Sequence, residues 1–167
     1  MKKIATFSKK TALFAALLIV FNACNNDTPS PSINATGVDE AKLLQLVNTL
    51  RQEGCTCGNT VMSAVPPLTW NNLLAKAAYD HSKDMNQNNY FSHTSKDGRN
   101  PAQRISAVGY SWTSYGENIA QGYPTEAAVI DGWKKSEGHC KNMMGSGFTE
   151  MGVGRSGDYW TQVFGRR

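Results

Sequence analysis

The sequence contains no apolar run long enough to cross a membrane. Its run at residues 11–21 has eleven residues, whereas a membrane-spanning helix needs about 20. Four lysines and no acidic residue lie before this run. A basic segment followed by a short apolar run is typical of a secretory signal. We therefore assign residues 1–23 to a signal peptide that is not part of the folded domain.

Cysteine is scarce, with four in the sequence, and the first directly follows the apolar run. Cys24 stands after Asn22 and Ala23, and a cysteine after a small residue is typical of a lipoprotein signal. We expect a lipid on Cys24 that anchors an exported protein to a bacterial membrane, facing the periplasm or the cell exterior. The alternative is ordinary signal cleavage nearby, which would leave Cys24 as an incidental thiol.

A basic surface is also missing once the signal is set aside. The sequence has 17 Lys and Arg against 13 Asp and Glu, a net charge of +4. Four of those lysines belong to the signal, so the remainder has 13 residues of each sign and a net charge of zero. Elsewhere no basic cluster with interleaved aromatic residues occurs. The sequence therefore predicts no nucleic-acid partner.

Two segments follow the signal peptide. Residues 24–37 are polar, contain two prolines and lack apolar periodicity, which predicts a disordered tether. Residues 38–167 contain no internal repeat. Their number suits one domain with its own hydrophobic core.

Three cysteines, Cys55, Cys57 and Cys140, belong to this domain. An exported chain meets an oxidising compartment, which predicts a disulfide. Cys55 and Cys57 are too close to pair comfortably, so Cys140 is expected to bridge to one of them. Closing a loop of about 80 residues would stabilise the fold by about 4 kcal/mol. The alternative is a metal site of these cysteines with His139, but the CxxC spacing usual for structural zinc is missing.

Apolar residues recur at helical spacing in the first part of the domain, and apolar and polar residues alternate in the last part. Thr36 is predicted to cap the first helix and Ser136 the last one. His81 lies on an apolar helical stripe, which predicts a place in the core. Helices followed by a final hairpin indicate an α+β fold. The predicted helices cover residues 38–51, 71–88, 101–108, 124–135 and 137–144; the strands cover 148–155 and 159–164, with an extended stretch at 117–120 and a loop at 55–67.

His93, Glu117 and His139 are the polar residues that the fold pattern does not explain. Two imidazoles and a carboxylate can hold a divalent metal with one position open. The same groups can serve as acid, base and orienting partner. A serine nucleophile is not indicated, because no G-x-S-x-G elbow occurs.

Five motifs occur in a fixed order in the domain: residues 91–94 (FSHT), 116–120 (GENIA), 133–139 (WKKSEGH), 148–154 (FTEMGVG) and 159–164 (YWTQVF). In this order they resemble the bacterial branch of the CAP superfamily, the cysteine-rich secretory, antigen 5 and pathogenesis-related 1 proteins, also called SCP-like extracellular domains. The resemblance covers about residues 41–165. It implies a three-layer α-β-α sandwich with a central, mainly antiparallel sheet and a cleft.

The resemblance also implies site residues. The animal and plant members of the family hold two His and two Glu in the cleft, and some bind zinc or another divalent cation there. His93 matches the first histidine and Glu117 the glutamate of the GEN motif. Ser136 and Tyr159 stand where the family has its second glutamate and second histidine.

Two further residues are candidates for the missing groups. His139 belongs to the bacterial pattern and would supply a replacement imidazole, and Glu137 would supply a carboxylate. A metal would then be held by His93, Glu117 and His139. The same pattern implies that Cys57 pairs with Cys140 and leaves Cys55 unpaired.

Two functions follow from these residues. The first is a binding module whose cleft takes a small molecule, a lipid or a peptide. The second is a hydrolase, metal-assisted or with His93 as the base and Glu117 orienting it. Binding is favoured over catalysis because no activated nucleophile is visible.

Overall fold

The computed structural model describes Met1 and residues 35–167. The predicted signal peptide, Cys24 and most of the predicted tether lie outside the described residues. Within the described part of the chain, no helix has the length and apolar character to cross a bilayer.

Helices come first and a long antiparallel hairpin comes last, as the sequence predicts. The five helices of the described residues are α1 Glu40–Glu53, α2 Asn72–Asn88, α3 Pro101–Ala107, α4 Glu126–Lys135 and α5 Glu137–Met143. The strands are β1 Cys55–Cys57, β2 Thr60–Met62, β3 Thr69–Trp70, β4 Ser114–Gln121, β5 Glu150–Ser156 and β6 Tyr159–Arg166.

Four strands form the central sheet in the order β3-β5-β6-β4. β3 runs parallel to β5, and the other two pairings are antiparallel. β4 pairs with β6 along its whole length, from Ser114 opposite Arg166 to Gln121 opposite Tyr159. β4 is therefore an edge strand, with one side of its backbone facing away from the sheet.

Helices cover both faces of this sheet. Alternate side chains of a strand point to opposite faces, and β6 shows this at Val163 and Phe164. Val163 packs with Leu74 of α2, whereas Phe164 belongs to the core shared with α1, α4 and α5. The predicted α+β sandwich of three layers, with a mainly antiparallel sheet, is confirmed.

α2 lies unusually close to β5 because two glycines face it. A Cβ added to Gly152 would lie 2.1 Å from the backbone nitrogen of Ala75, and one added to Gly154 would lie 2.2 Å from that of Tyr79. Only glycine allows the helix backbone to approach the strand this closely.

The start of α1 differs from the prediction. The helix begins at Glu40, and its cap is Asp39, whose carboxylate accepts a hydrogen bond from the Lys42 amide. Thr36 does not cap it; its carbonyl instead accepts a hydrogen bond from the Arg155 amide. The segment predicted to open the helix is thus held to the sheet.

The predicted loop at residues 55–67 contains a short hairpin. β1 and β2 pair in antiparallel register, with Cys55 opposite Met62 and Cys57 opposite Thr60. Gly58 turns the chain with a φ of +59°, a value that favours glycine. Three-residue strands are too short to give an alternation signal, which is why the sequence predicted a loop.

Candidate functional site

A cleft lies beside the free edge of β4. Its cavity has a volume of about 630 Å³ and is bounded by the loop after α2 and by α4 and the start of α5. The apolar part of the wall consists of Phe91, Ile119, Ala120, Tyr123 and Trp133. The polar part includes Ser92, His93, Gln121, Ser136 and His139.

Glu117 lies behind His93 and binds it. The Nδ1 atom of His93 is 2.8 Å from Oε1 of Glu117. A carboxylate can only accept, so Nδ1 carries the proton and Nε2 is the ring nitrogen left for a ligand. The side chain of Glu117 is 3% exposed and that of His93 is 52% exposed. Glu117 therefore orients the imidazole from inside the protein.

Arg104 is a member of this site that sequence reasoning missed. Its Nη2 lies 2.6 Å from the second carboxylate oxygen of Glu117, and both side chains are almost fully buried. Its Nη1 donates to the carbonyl of His93 at 2.9 Å. Nothing in the local sequence distinguishes Arg104 from a solvent-exposed arginine on a short helix.

His81 supports the same loop from the other side. It is fully buried, and its Nε2 lies 2.9 Å from the carbonyl oxygen of Ser92. Burial lowers the pKa of His81, and the charge of Arg104 lowers it further. His81 thus has the core position that its apolar stripe predicted, and it fixes the residue before His93.

His139 faces the cleft from α5. Its carbonyl accepts a hydrogen bond from Nδ2 of Asn118 on β4 at 3.2 Å, which ties α5 to the edge strand. Burial lowers the pKa of His139, and a positive charge on His93 would lower it further. His139 is accordingly neutral at neutral pH.

Side chains from α4 and α5 cover part of the free edge of β4. Nε1 of Trp133 donates to the carbonyl of Ile119 at 3.1 Å, and Nδ2 of Asn142 donates to the carbonyl of Glu117 at 3.1 Å. These two carbonyls point away from β6. Because both carbonyl groups already accept a hydrogen bond, they are not free to pair with another strand.

Ser136 lines the cleft, and its predicted place at the start of the last helix is confirmed. It stands at the N-cap position of α5, yet its side chain makes no capping hydrogen bond. Its hydroxyl group is one of the polar groups of the cavity wall.

Glu137 and Tyr159 do not line this cavity. Glu137 pairs with Lys141 one turn along α5, at 2.6 Å, and its carboxylate lies against Gly58 of the β1–β2 turn. Tyr159 is 6% exposed and packs with Met85 and Ile119 on the α2 side of the sheet. The replacement carboxylate expected from Glu137 is therefore not in the cavity wall, and neither is the side chain of Tyr159.

A divalent metal in the cleft fits the donor set poorly. Both oxygens of Glu117 are already engaged, one by His93 and one by the guanidinium of Arg104. A cation bound by Glu117 would meet the positive charge of Arg104. Among the described residues, the one group of three converging candidate ligands is Cys55, Cys57 and Cys140. The metal site of His93, Glu117 and His139 stays a prediction.

The disulfide predicted for the domain joins Cys57 to Cys140, with 5.5 Å between their Cα atoms. This is the pairing that the resemblance implied, and it links β1 to α5. Cys55 is a free thiol and partly exposed. With two of its members oxidised, the cysteine group does not offer three thiolates to a metal.

The three-layer sandwich and the edge-strand cleft, with His93 in its wall and Glu117 bound behind it, together define an SCP-like domain. The sequence profile of the cysteine-rich secretory protein family, CAP, matches residues 44–164. The chain therefore belongs to the CAP family.

Two curated relatives come from Bacillus subtilis strain 168. The chain is 37% identical over 142 residues to "Uncharacterized protein YkwD", which covers 84% of this chain and 51% of that protein. It is also 37% identical over 128 residues to "Uncharacterized membrane protein YlbC", covering 77% of this chain and 34% of that one. The chain thus spans about half the length of the first relative and a third of the second.

Solved structures support the same fold. An extracellular SCP-domain protein of Bacillus anthracis is 35% identical, with a TM-score of 0.68 and coverage of 76% of this chain and 40% of that one. An outer surface protein of Borrelia burgdorferi has a TM-score of 0.64 at 23% identity, covering 76% and 91% of the two chains. The second likeness bears on the fold alone.

Proposed function

We propose that this domain is a binding module whose cleft takes a small, uncharged ligand with an apolar body and a hydrogen-bonding group. The observation that carries the proposal is the cavity of about 630 Å³ beside β4, where aromatic and aliphatic side chains share the wall with two imidazoles. Ligand sites in proteins are typically cavities of about 300–1,000 Å³ with a mostly apolar lining and few polar groups.

The charges in and behind the cavity wall favour an uncharged ligand. Arg104 and Glu117 compensate each other at 2.6 Å, and His139 is neutral because burial lowers its pKa. Neither an anionic nor a cationic ligand would meet an unpaired opposite charge. The free ring nitrogen of His93 offers a hydrogen bond to a hydroxyl or amide group.

The covered edge of β4 supports a small ligand or a lipid over an extended peptide. A peptide that added a strand would need free carbonyls on the edge. Two of these, on Glu117 and Ile119, already accept from Asn142 and Trp133. An apolar chain needs no such carbonyls.

Hydrolysis remains the weaker alternative. The Glu117–His93 pair at 2.8 Å has the geometry of an oriented base. However, among the described residues no hydroxyl group is hydrogen-bonded to the His93 ring, and Ser92 Oγ instead accepts from the Thr94 amide. Binding is therefore the function that the site supports best.

Displacement of the neutral dye Nile red from the purified domain tests the proposal. We expect 1-dodecanol to compete at least about tenfold better than dodecanoate, which has the same chain length and a charge. Phe91→Ala should weaken dye binding about tenfold, because the exposed Phe91 ring forms part of the wall. Val61→Ala is the matched control, since Val61 is exposed on β2. Equal competition by dodecanoate, or unchanged binding by Phe91→Ala, would contradict the proposal.

We further propose that the ligand binds without a divalent metal, because Arg104 occupies the second oxygen of Glu117. Calorimetric titration with Zn²⁺ should give the same small uptake for the wild type and for the double variant His93→Ala, His139→Ala. Stoichiometric Zn²⁺ uptake by the wild type that is lost in the double variant would contradict this proposal. It would support the predicted metal site in the cleft.

The place of action is proposed to be the bacterial cell envelope, with a lipid on Cys24 as the anchor. The sequence before the domain supports this, and so does the likeness to an extracellular protein of Bacillus anthracis. In the producing bacterium, Cys24→Ala should move the protein from the membrane fraction to the soluble fraction. Retention in the membrane fraction would argue against lipidation.

A further inference from the structure

Three sulfur atoms meet where the β1–β2 hairpin contacts α5. Sγ of Cys55 lies 3.7 Å from Sγ of Cys57 and 3.6 Å from Sγ of Cys140. Cys55 and Cys57 are two residues apart on β1, so their side chains point to the same side of the strand. Both therefore face Cys140 on α5.

The three cysteines differ in access to solvent. Cys57 and Cys140 are fully buried, whereas Cys55 is partly exposed and carries the free thiol. Solvent-borne reagents therefore reach this cluster through Cys55.

We propose that Cys55 is an exchange thiol, a second partner for Cys140 that can replace Cys57 in the bridge between β1 and α5. The Cys55 thiolate attacks Sγ of Cys140, a Cys55–Cys140 bond forms, and the Cys57–Cys140 bond breaks. Cys57 leaves as a thiolate and takes up the proton that Cys55 lost. The number of disulfides is unchanged, so the step needs no oxidant or reductant.

The alternative product, a Cys55–Cys57 bond, is disfavoured by strand geometry. Residues two apart on an extended strand have Cα atoms about 6.7 Å apart. This is the upper limit of the range found in disulfides. The attacked sulfur is therefore that of Cys140, and α5 stays bridged to β1 in either form.

The two bridges constrain the chain almost equally. The Cys57–Cys140 bridge spans 83 residues and a Cys55–Cys140 bridge would span 85. The entropy cost of closing a loop changes very little with a difference of two residues in loop length. Either bridge would hold the residue that follows His139, and so would keep this histidine in the cleft wall.

The resting geometry makes the exchange slow at neutral pH. Cys55 Sγ is almost equally far from the two bonded sulfurs, so it lies beside their bond, and it must move before it can attack along the bond axis. Burial raises the pKa of the Cys55 thiol, with the charge of Lys134 opposing this. The thiolate fraction, and with it the exchange rate, should therefore rise as the pH rises.

The test is peptide mapping by mass spectrometry of the full chain, oxidised in air, acid-quenched and alkylated without reduction. In Cys57→Ser we expect a peptide that links Cys55 to Cys140. Cys55→Ser is the matched control and should retain the Cys57–Cys140 peptide. A folded Cys57→Ser protein in which the thiols of Cys55 and Cys140 are both alkylated would overturn the proposal.

A second measurement uses the wild type, in case Cys57→Ser does not fold. The native protein is incubated with iodoacetamide at about pH 6.5 and about pH 9, on either side of the ordinary thiol pKa. We expect alkylated Cys57, together with the Cys55–Cys140 peptide, to form at least about tenfold faster at the higher pH. Alkylation confined to Cys55 at both values, with no Cys55–Cys140 peptide, would overturn the proposal.

Discussion

At the scale of single residues, the site depends on one buried carboxylate with two partners. Glu117 binds the Nδ1 proton of His93 with one oxygen and the guanidinium of Arg104 with the other. The arginine compensates the charge that makes the carboxylate a good partner for His93. Glu117 therefore acts as a positioning group that does not itself contact the cavity.

Removal of Arg104 tests this arrangement. We expect Arg104→Ala to lower the free energy of unfolding by about 3–5 kcal/mol, because it leaves the charge of Glu117 buried without its partner. The measurement is urea unfolding followed by circular dichroism. Arg99→Ala is a suitable control, since Arg99 is half exposed and its pair with Asp97 lies at the surface, where ion pairs contribute little to stability. Equal stability of the two variants would show that Arg104 is not needed to compensate the buried charge of Glu117.

Two histidines, the buried His81 and the partly buried His139, make the stability of the domain dependent on pH. Burial lowers the pKa of both His81 and His139 below the ordinary value of 6.5. Below pH 6.5 the unfolded chain therefore binds more protons than the folded one, and stability falls as the pH falls. The full contribution of these two histidines to the free energy of unfolding is present above about pH 6.5.

We expect the midpoint of urea unfolding to decrease between about pH 7.5 and about pH 5.5, the range that spans the ordinary histidine pKa. His139→Gln should make this decrease shallower, because one of the two shifted groups is gone while His81 remains. Parallel curves for the variant and the wild type would show that His139 does not titrate differently in the folded state.

At the scale of helices and strands, the local sequence predicted most elements and missed those that depend on distant contacts. α2, α3 and the final hairpin follow their periodicity and turn residues closely. The β1–β2 hairpin was missed because its strands have three residues each. The true start of α1 was missed because the segment before it is bound by Arg155, which is far away in the sequence.

The contact of α2 with β5 gives the sharpest prediction at this scale. Gly152→Ala should destabilise the domain by about 3 kcal/mol, the upper end of overpacking effects, because its Cβ would lie 2.1 Å from the Ala75 backbone. Gly138→Ala on α5 is the control: a Cβ there meets nothing within 4 Å, and alanine favours a helix by about 0.5–1 kcal/mol. Thermal unfolding of both variants provides the comparison, and similar melting temperatures would contradict the close approach.

At the scale of the whole molecule, a single covalent link joins the small hairpin to the helix that carries His139. The Cys57–Cys140 bridge closes a loop of 83 residues. Its entropic effect on the unfolded chain should be about 4 kcal/mol. The cleft wall thus depends on a bond between two elements that are far apart in the sequence.

Cys140→Ser removes both the present bridge and the alternative one through Cys55. We expect it to lower the free energy of unfolding by about 4 kcal/mol, whereas Cys55→Ser should have little effect. Denaturant unfolding under non-reducing conditions measures both. A reducing agent should destabilise the wild type and leave Cys140→Ser unchanged, and a Cys140→Ser variant as stable as the wild type would contradict the role of the bridge.

The sequence by itself determined the fold class, the family and three members of the cleft, because periodicity, turn residues and ordered motifs are local signals. His93, Ser136 and His139 line the cavity as their motifs implied. Only the tertiary structure decided that Arg104 completes the site and that Glu117 lies behind the cavity wall. It also decided that Glu137 and Tyr159 stand outside the cavity. The physical reason is that an ion pair and a cavity are defined by distances through space. Arg104 and Glu117 are 13 positions apart in the sequence, and nothing between them gives a local sign of the 2.6 Å contact that joins them.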